Sequence, residues 1–362
     1  MKKVLQSFFA PTLGLVLALL AGTTILVCLG ESSSVLWEAL YNVCFTDFGL
    51  GYTLFYTTPY LFTGLAVAIC FRCGLFNIGG EGQLYLGAIS VVVVATALPG
   101  LPSIVAVPLG IATAFLAGGL WGGLAGWLKA RRGSHEVIVT ILLNFLAIAL
   151  VNYLLLYPYD NPHGQNPETL EIGESYRIPT LHTLSSWIGM PVFESTPANV
   201  SLFLALLMAV ACHFFLFHTS RGFELRAVGQ NADASRFAGI RVSTQTITAL
   251  FLGGGLAGLV GVNEVMGYHY KVVEGFSPQY GFTGIAVALL ARSSPLGIIL
   301  SAFLFGILQN SARELEFLSE RVTKELATVI QGILIAFVAA QYYWERIYLH
   351  LKKRFQSRRQ PA

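Results

Sequence analysis

Long apolar runs recur along the whole chain, separated by short polar punctuation. Ten of them can be marked, at roughly 8–29, 53–71, 75–97, 103–128, 136–157, 200–217, 244–263, 281–291, 295–311 and 325–344. A helix needs about 20 mostly apolar residues to cross a bilayer, and all but the eighth approach that length. The eighth is too short to cross alone and reads as a half-helix or as part of a broken segment. Proline and glycine mark the joins, as in Leu98-Pro99-Gly100-Leu101-Pro102 and Ser293-Ser294-Pro295. The start, Met1-Lys2-Lys3 before an apolar stretch from Phe8, resembles a signal peptide. Its apolar part continues to Leu29, too long for a cleaved leader, so a retained first span is expected.

One interruption does not fit simple punctuation. Between the runs ending at Phe71 and beginning at Leu84 lies Asn77-Ile78-Gly79-Gly80-Glu81-Gly82-Gln83, with Arg72 nearby. Backbone that leaves the helix at membrane depth is tolerated only where it is buried in protein or lines a watery cavity. Three glycines permit such a break, and Asn77, Glu81 and Gln83 offer donors and acceptors to a polar solute. A carboxylate inside a membrane is costly and by default points to function. The plainer alternative is that Glu81 caps the following helix through its first amides. Asn144 in the fifth run and Gln309-Asn310 near the end of the ninth are further lining candidates.

Composition agrees with the pattern. The chain is 55% hydrophobic and 11% charged, with mean hydropathy +0.66, whereas a soluble domain carries roughly 25% charged residues. The expected fold is an all-α polytopic membrane protein. The net charge of +3 is not a nucleic-acid signal, because the cations sort by membrane side. With the N-terminus inside and ten spans in alternation, 17 of the 22 lysines and arginines fall inside, and both termini are cytoplasmic. Acidic residues gather outside, at Glu168, Glu171 and Glu174, and at Glu314, Glu316 and Glu320. The five cysteines have no regular spacing, and Cys70-Phe71-Arg72-Cys73 lacks the βαβ context of a redox pair, so they read as small core residues.

Glycines at 118, 122 and 126, at 119 and 123, and at 254 and 258 repeat every four residues. Such rows let helix backbones approach closely where lipid offers no drive for packing. Two hydrophilic stretches stand apart from the spans. The outer loop 158–199 holds Tyr, Trp and several prolines and is expected on the membrane face. The inner loop 218–243 carries four arginines, which the positive-inside rule explains. Its middle needs more: Asn231 is a helix-start residue, good helix formers follow to Phe237, and Gly239 is a stop. A short helix held there by two spans is suited to dock in a groove of a cytoplasmic partner. No lysine follows a glycine, so the phosphate-loop signature is absent, as are metalloprotease pairs, clustered metal ligands and a nucleophile elbow. No catalytic or metal site is expected.

Four ordered stretches carry a resemblance. They are GLFNIGGEGQLYLGA at 74–88, GSHEVIVTILLNFLA at 133–147, ELRAVGQNADASRFAGI at 224–240 and GFTGIAVALLARSSPLGIILSAFLFGIL at 281–308. From about residue 55 to 345 the chain resembles the permease subunits of bacterial ATP-binding-cassette importers. It is similar to the branched-chain amino acid and ribose permease group, in its nucleoside and simple-sugar branch. NIGGEGQ looks like the longer of the two paired permeases there.

The resemblance implies a single transmembrane permease domain over 1–362, built as two inverted halves of the type II importer kind, with spans 2–5 and 7–10 as the candidate halves. It implies a multi-pass subunit of the bacterial cytoplasmic (inner) membrane. Its partners would be a second permease (a paralogue or another copy of this chain), two cytoplasmic ATPases that hold the ATP and Mg²⁺, and an extracytoplasmic substrate-binding protein. No cofactor is expected on this chain itself. Residues 224–240 match the family's coupling segment, which assigns coupling to Glu224, Arg226, Gly229, Asn231, Ala232, Ala234, Arg236 and Gly239. Loop 158–199 departs from the family pattern, and 345–362 is a basic cytoplasmic tail. The solute expected is a nucleoside or a related ribosyl or sugar compound. The alternative from another class is a secondary transporter using Glu81 and Glu264 as proton or cation sites.

Overall fold

A computed structural model describes residues 20–24, 27, 28 and 30–319, with isolated positions 322, 323, 326, 329, 332, 333 and 336 beyond them. The expected first and last spans fall largely outside the described residues, and the basic tail lies wholly outside. Among the described residues the chain is helical with only isolated β-bridges. The membrane-length helices are α2 (Asp47–Arg72), α3 (Gly80–Ala97), α4 (Ser103–Arg132), α5 (Glu136–Leu156), α7 (Ser201–His218), α10 with its continuation (Val242–His269) and α12 (Pro295–Leu318). The expected half-helix is there as α11 (Tyr280–Leu290), only 11 residues long.

Several boundaries differ from the apolar runs, each for a local reason. The third run starts at 75, but α3 starts at Gly80, because Gly74 ends α2 in the left-handed region (φ 72°) with Leu75 N–H bonded to Cys70 O. That is a glycine-terminated helix end whose crossed hydrogen bonds satisfy the last carbonyls. The ninth run ends at 311, yet α12 continues to Leu318 on polar residues. Helices also form outside the runs, among them α1 (Ser33–Phe45) and α8 (Ser220–Gln230), which nothing in the sequence had marked.

The chain divides into two compact units, residues 1–49 with 307–362, and residues 50–306. In the first, α1 buries Leu36, Ala39 and Val43 and exposes Trp37, Tyr41 and Phe45 in a row four residues apart. Asn42 Nδ2 donates to Glu314 Oε1 (3.0 Å), and Asn310 Nδ2 donates to Gly49 O (2.8 Å).

The second unit is organised by glycine. Helix α4 lies against α10 so closely that a methyl group on Gly118 would meet Gly254 O and sit 2.9 Å from Gly258 Cα. One on Gly122 would meet Leu250 O, and one on Gly87 of α3 would sit 2.5 Å from Gly258 Cα. Without a hydrophobic drive between helices, close backbone approach of this kind supplies the packing. Past Gly258 the helix widens into a π-helical turn, Val262–His269, reaching beyond the expected end at 263.

Loop 158–199 is folded as a strap along this turn and the segment after it. Ile178 N–H donates to Met266 O (3.0 Å), Ile172 N–H to Tyr270 O (2.7 Å) and Thr169 N–H to Val272 O (2.9 Å). Buried Tyr176 donates its hydroxyl to Leu98 O (3.0 Å). The strap thereby satisfies carbonyls near the irregular turn that a regular helix would have paired. It also carries α6 (Leu181–Trp187), which packs Leu181 and Leu184 beside Leu202 of α7 and leaves Trp187 73% exposed.

Two outcomes follow. Gly118→Leu should lower the thermal midpoint of the detergent-solubilised protein by several degrees, since overpacking costs about 1–3 kcal/mol or more. Gly100→Ala, where nothing lies within 4 Å, should leave it unchanged. The second outcome concerns pH. Lys271 Nζ bonds Glu168 (2.9 Å to Oε1), and this hydrogen bond holds the Glu168 carboxyl below the usual carboxylate range. A lowered folded-state value stabilises above the unfolded value of about 4.3 and is lost as pH falls through the folded one. Thermal midpoints should therefore drop between roughly pH 5 and 3, and drop less in Lys271→Met.

Candidate functional site

The break between α2 and α3 has an answer in hydrogen bonds. A helix that begins inside protein exposes its first amides, and each must find an acceptor. Gly82 N–H donates to Asn144 Oδ1 (2.8 Å), and the same side chain returns Nδ2 to Ile78 O (2.8 Å). One residue of α5 therefore closes both the loop and the start of α3. Asn77 and Gln83 face each other across the break, Asn77 Nδ2 to Gln83 Oε1 (3.0 Å) and Gln83 Nε2 to Asn77 Oδ1 (3.2 Å), while Gly79 N–H donates to Asn77 Oδ1 (2.9 Å). All four side chains of this set, with Glu81, are buried. Leaving any one of these groups unmet would cost about 1–3 kcal/mol.

Glu81 points away from its own helix start. Its Oε2 accepts the Gly281 amide (2.8 Å), the second residue of α11, and the Ser277 hydroxyl donates to the same carboxylate. The starts of α3 and α11 meet backbone to backbone there. A methyl on Gly80 would lie 3.3 Å from Gly281 Cα, and one on Gly281 would collide with Glu81 N. At about 1.5 Å per residue α11 is roughly 16 Å long, half of a ~30 Å hydrocarbon layer. Two short or broken helices thus turn their positive ends toward one point, and a carboxylate occupies it. Glu81 therefore caps α11, and not the start of its own helix α3 as the plainer expectation had it.

A second buried polar cluster was only partly visible in sequence. Glu264 lies in the π turn, where its Oε1 accepts from Asn263 Nδ2 (3.1 Å), Tyr280 donates a hydroxyl, and His269 Nε2 lies 3.7 Å from Oε2. Asn199 and Ser201 extend it: Ser201 Oγ donates to Asn263 Oδ1 (3.0 Å) and Asn199 Nδ2 to the same atom (3.2 Å). Glu264, just past the end of the seventh apolar run, was the signal for this cluster in the sequence; Asn263, Asn199 and Ser201 had not been singled out. Both carboxylates thus neighbour the start of α11, Glu81 at Gly281 and Glu264 at Tyr280. Asn310 is fully buried in the other unit, where Arg313 Nε donates to its Oδ1 (3.1 Å), and Gln309 is half-buried there.

The expected helix in loop 218–243 is α9 (Ala232–Phe237). Asn231 caps it, with Oδ1 accepting from Ala234 N–H (2.9 Å), and Gly239 (φ 84°) follows its end. Ser235 is buried; Ala234, Arg236 and Phe237 face out, the last 95% exposed. Arg236 pairs with Asp233 on the same surface (3.0 Å). The remaining coupling candidates sit on α8 and turn inward. Gln245 Nε2 donates to Glu224 Oε2 (2.6 Å), Arg226 Nε donates to Leu216 O (2.8 Å), and Gly229 packs against the carbonyl of Arg72. Of the eight, three therefore bind the segment to the spans and the others lie on or beside the outward helix.

The scaffold that carries these sites matches the model of the branched-chain amino acid transport system permease component over residues 49–339. The guanosine ABC transporter permease protein NupP of Bacillus subtilis (strain 168) is 37% identical over 98% of this chain and 99% of its own length. The glucose ABC transporter permease protein TsgB13 of Haloferax volcanii is 33% identical over 94% of this chain and 89% of its own. The nucleoside ABC transporter permease protein NupB of Lactococcus lactis is 30% identical over 94% and 93%. Both nucleoside relatives have a second permease relative in the same organism, NupQ and NupC, similar to this chain over 71% and 72% of its length. The chain belongs to the branched-chain amino acid transport permease family, as a multi-pass membrane subunit of an ATP-binding-cassette transporter and not an enzyme.

Proposed function

We propose that this subunit forms part of an import pathway for nucleosides or related ribosyl or sugar solutes across a bacterial cytoplasmic membrane, with both termini inside. The three relatives named for guanosine, nucleoside and glucose support that solute class. ATP and Mg²⁺ belong to two separate cytoplasmic ATPases, and an extracytoplasmic binding protein delivers the solute. The paired relatives NupP and NupQ, and NupB and NupC, favour a paralogous second permease over a second copy of this chain. Together with its termini and loops, the chain acts as one permease domain.

The observation that carries the reading is α9: a capped helix on an inner loop, presenting the almost fully exposed Phe237 at its end. An apolar residue so exposed on a charged loop suits a protein groove. Asn231, Ala232, Ala234, Arg236 and Gly239 form or frame that docking element, and Glu224, Arg226 and Gly229 tie it to the spans. On the solute side, Asn77, Glu81, Gln83 and Asn144 hold the broken start of α3 at the pathway. Asn77 and Gln83 engage each other while Asn144 and Glu81 hold backbone groups, so these residues meet the solute by exchanging partners as the pathway opens.

The experiment is initial uptake of labelled guanosine into vesicles holding the reconstituted complex, with ATP and with or without a proton gradient. Uptake should need ATP and ignore the gradient. Glu81→Gln keeps an acceptor for Gly281 N–H and should retain a substantial share. Glu81→Leu leaves that amide unmet and should lose roughly tenfold or more. Ala232→Arg should abolish uptake and ATPase co-purification in a folded protein. Wild-type uptake driven by the gradient alone would overturn the reading.

A further inference from the structure

Arg72 stands at the inner end of α2 and touches three other parts of the second unit. Its Nε donates to Ser293 O (3.0 Å), and its Nη2 donates to Arg292 O (3.4 Å), in the turn just past the end of α11. Its own carbonyl receives Gly229 of the coupling segment, at a distance no side chain there would allow. Its guanidinium lies 5.5 Å from the centre of the Phe217 ring, and that of Arg226 lies 5.0 Å from the same ring. Phe217, at the end of α7, is therefore shared by a cation from the spans and a cation from the coupling segment.

The turn that Arg72 caps is not a relaxed one. Arg292 and Ser293 are consecutive non-glycine residues in the left-handed region, at φ 52° and 53°. Ser293 N–H reaches back to Ala288 O (2.8 Å) and Arg292 N–H to Leu289 O (3.0 Å), which closes the end of α11 without help from glycine. Such a conformation persists where surrounding structure holds it. A guanidinium is suited to the task, with several donors in one rigid plane and a positive charge at the negative end of a helix.

We infer that Arg72 is the positioning residue that transmits movement of the coupling segment to α11. Gly229 and the Arg226–Phe217 stack fix α8 to Arg72, Arg72 fixes the end of α11, and Glu81 fixes the start of α11 to α3. Displacement of α8 therefore shifts the short helix as a body, and with it the point where the two helix starts meet. The contacts form an unbroken chain of packed and hydrogen-bonded groups, a route by which energetic coupling can pass between distant sites. No role in solute contact or ATPase docking is assigned to Arg72 itself.

This linkage rests on the import reading above, so its test separates the two. In vesicles holding the complete complex, ATP hydrolysed and guanosine taken up are measured together. Wild-type vesicles without ATP-dependent uptake would overturn the import reading. With wild-type uptake present, Arg72→Gln should keep at least half of the ATPase rate and lose roughly tenfold or more in solute moved per ATP. Arg72→Lys, which keeps the charge and can reach one carbonyl, should recover part of that loss. Phe217→Leu, a mild change at a span end, should lower the same ratio by a smaller factor. A ratio unchanged in Arg72→Gln and Phe217→Leu would overturn the linkage. So would a parallel fall of hydrolysis and uptake in both, which marks a merely structural role.

Discussion

A helix that starts within an apolar layer has amide groups that water cannot reach, and the rest of this structure depends on how those groups are met. At α3 the acceptor comes from Asn144 on α5; at α11 it comes from Glu81 on α3. Each broken helix is thus secured by a side chain of another helix, and the two securing residues chain α5, α3 and α11 into one assembly. Glycine at 80 and 281 lets the two starts touch. A side chain at 281 would force the two starts apart and pull the Gly281 amide from the Glu81 carboxylate.

The other features of the second unit serve that junction. The glycine rows of α4 and α10 bring the scaffold close enough that the buried polar groups are sealed from lipid. The π turn gives up regular pairing over 262–269, and the strap from loop 158–199 takes up its carbonyls from outside. The opposite end of α11 is closed by Arg72, so the short helix is held at both ends by charges of the sign its dipole favours. For a transport subunit this is a useful compromise. The junction is rigid at rest, yet it consists of a few hydrogen bonds that can be exchanged together and not of a deep apolar contact.

Much of this could be read from the residues, and the limits have physical causes. Runs of apolar residues located eight described segments because bilayer thickness sets helix length. Asn77, Glu81, Gln83 and Asn144 stood out since polar groups inside such runs are expensive, and all four proved to be joined in or beside one network. Asn231 and Gly239 marked α9 through local capping chemistry alone. What spacing does not encode is the partner across 200 residues: Glu81 looked able to cap its own helix, and its acceptor role toward Gly281 appears only with the fold. Helices α1 and α8 escaped notice because they are short and mixed in polarity, and the strap escaped because its order comes from pairing with residues 266–274 rather than from its own composition.

The most direct measurement is amide hydrogen exchange at Gly82 and Gly281 in the purified protein, compared with the amides of exposed Gln165 and Asn166 in loop 158–199. Slow exchange is expected at both glycines. Asn144→Ala should release Gly82, and Glu81→Leu should release Gly281. Exchange at Gly82 and Gly281 as fast as at Gln165 and Asn166 would mean that the two helix starts are not held by side chains, and the junction described here would not exist.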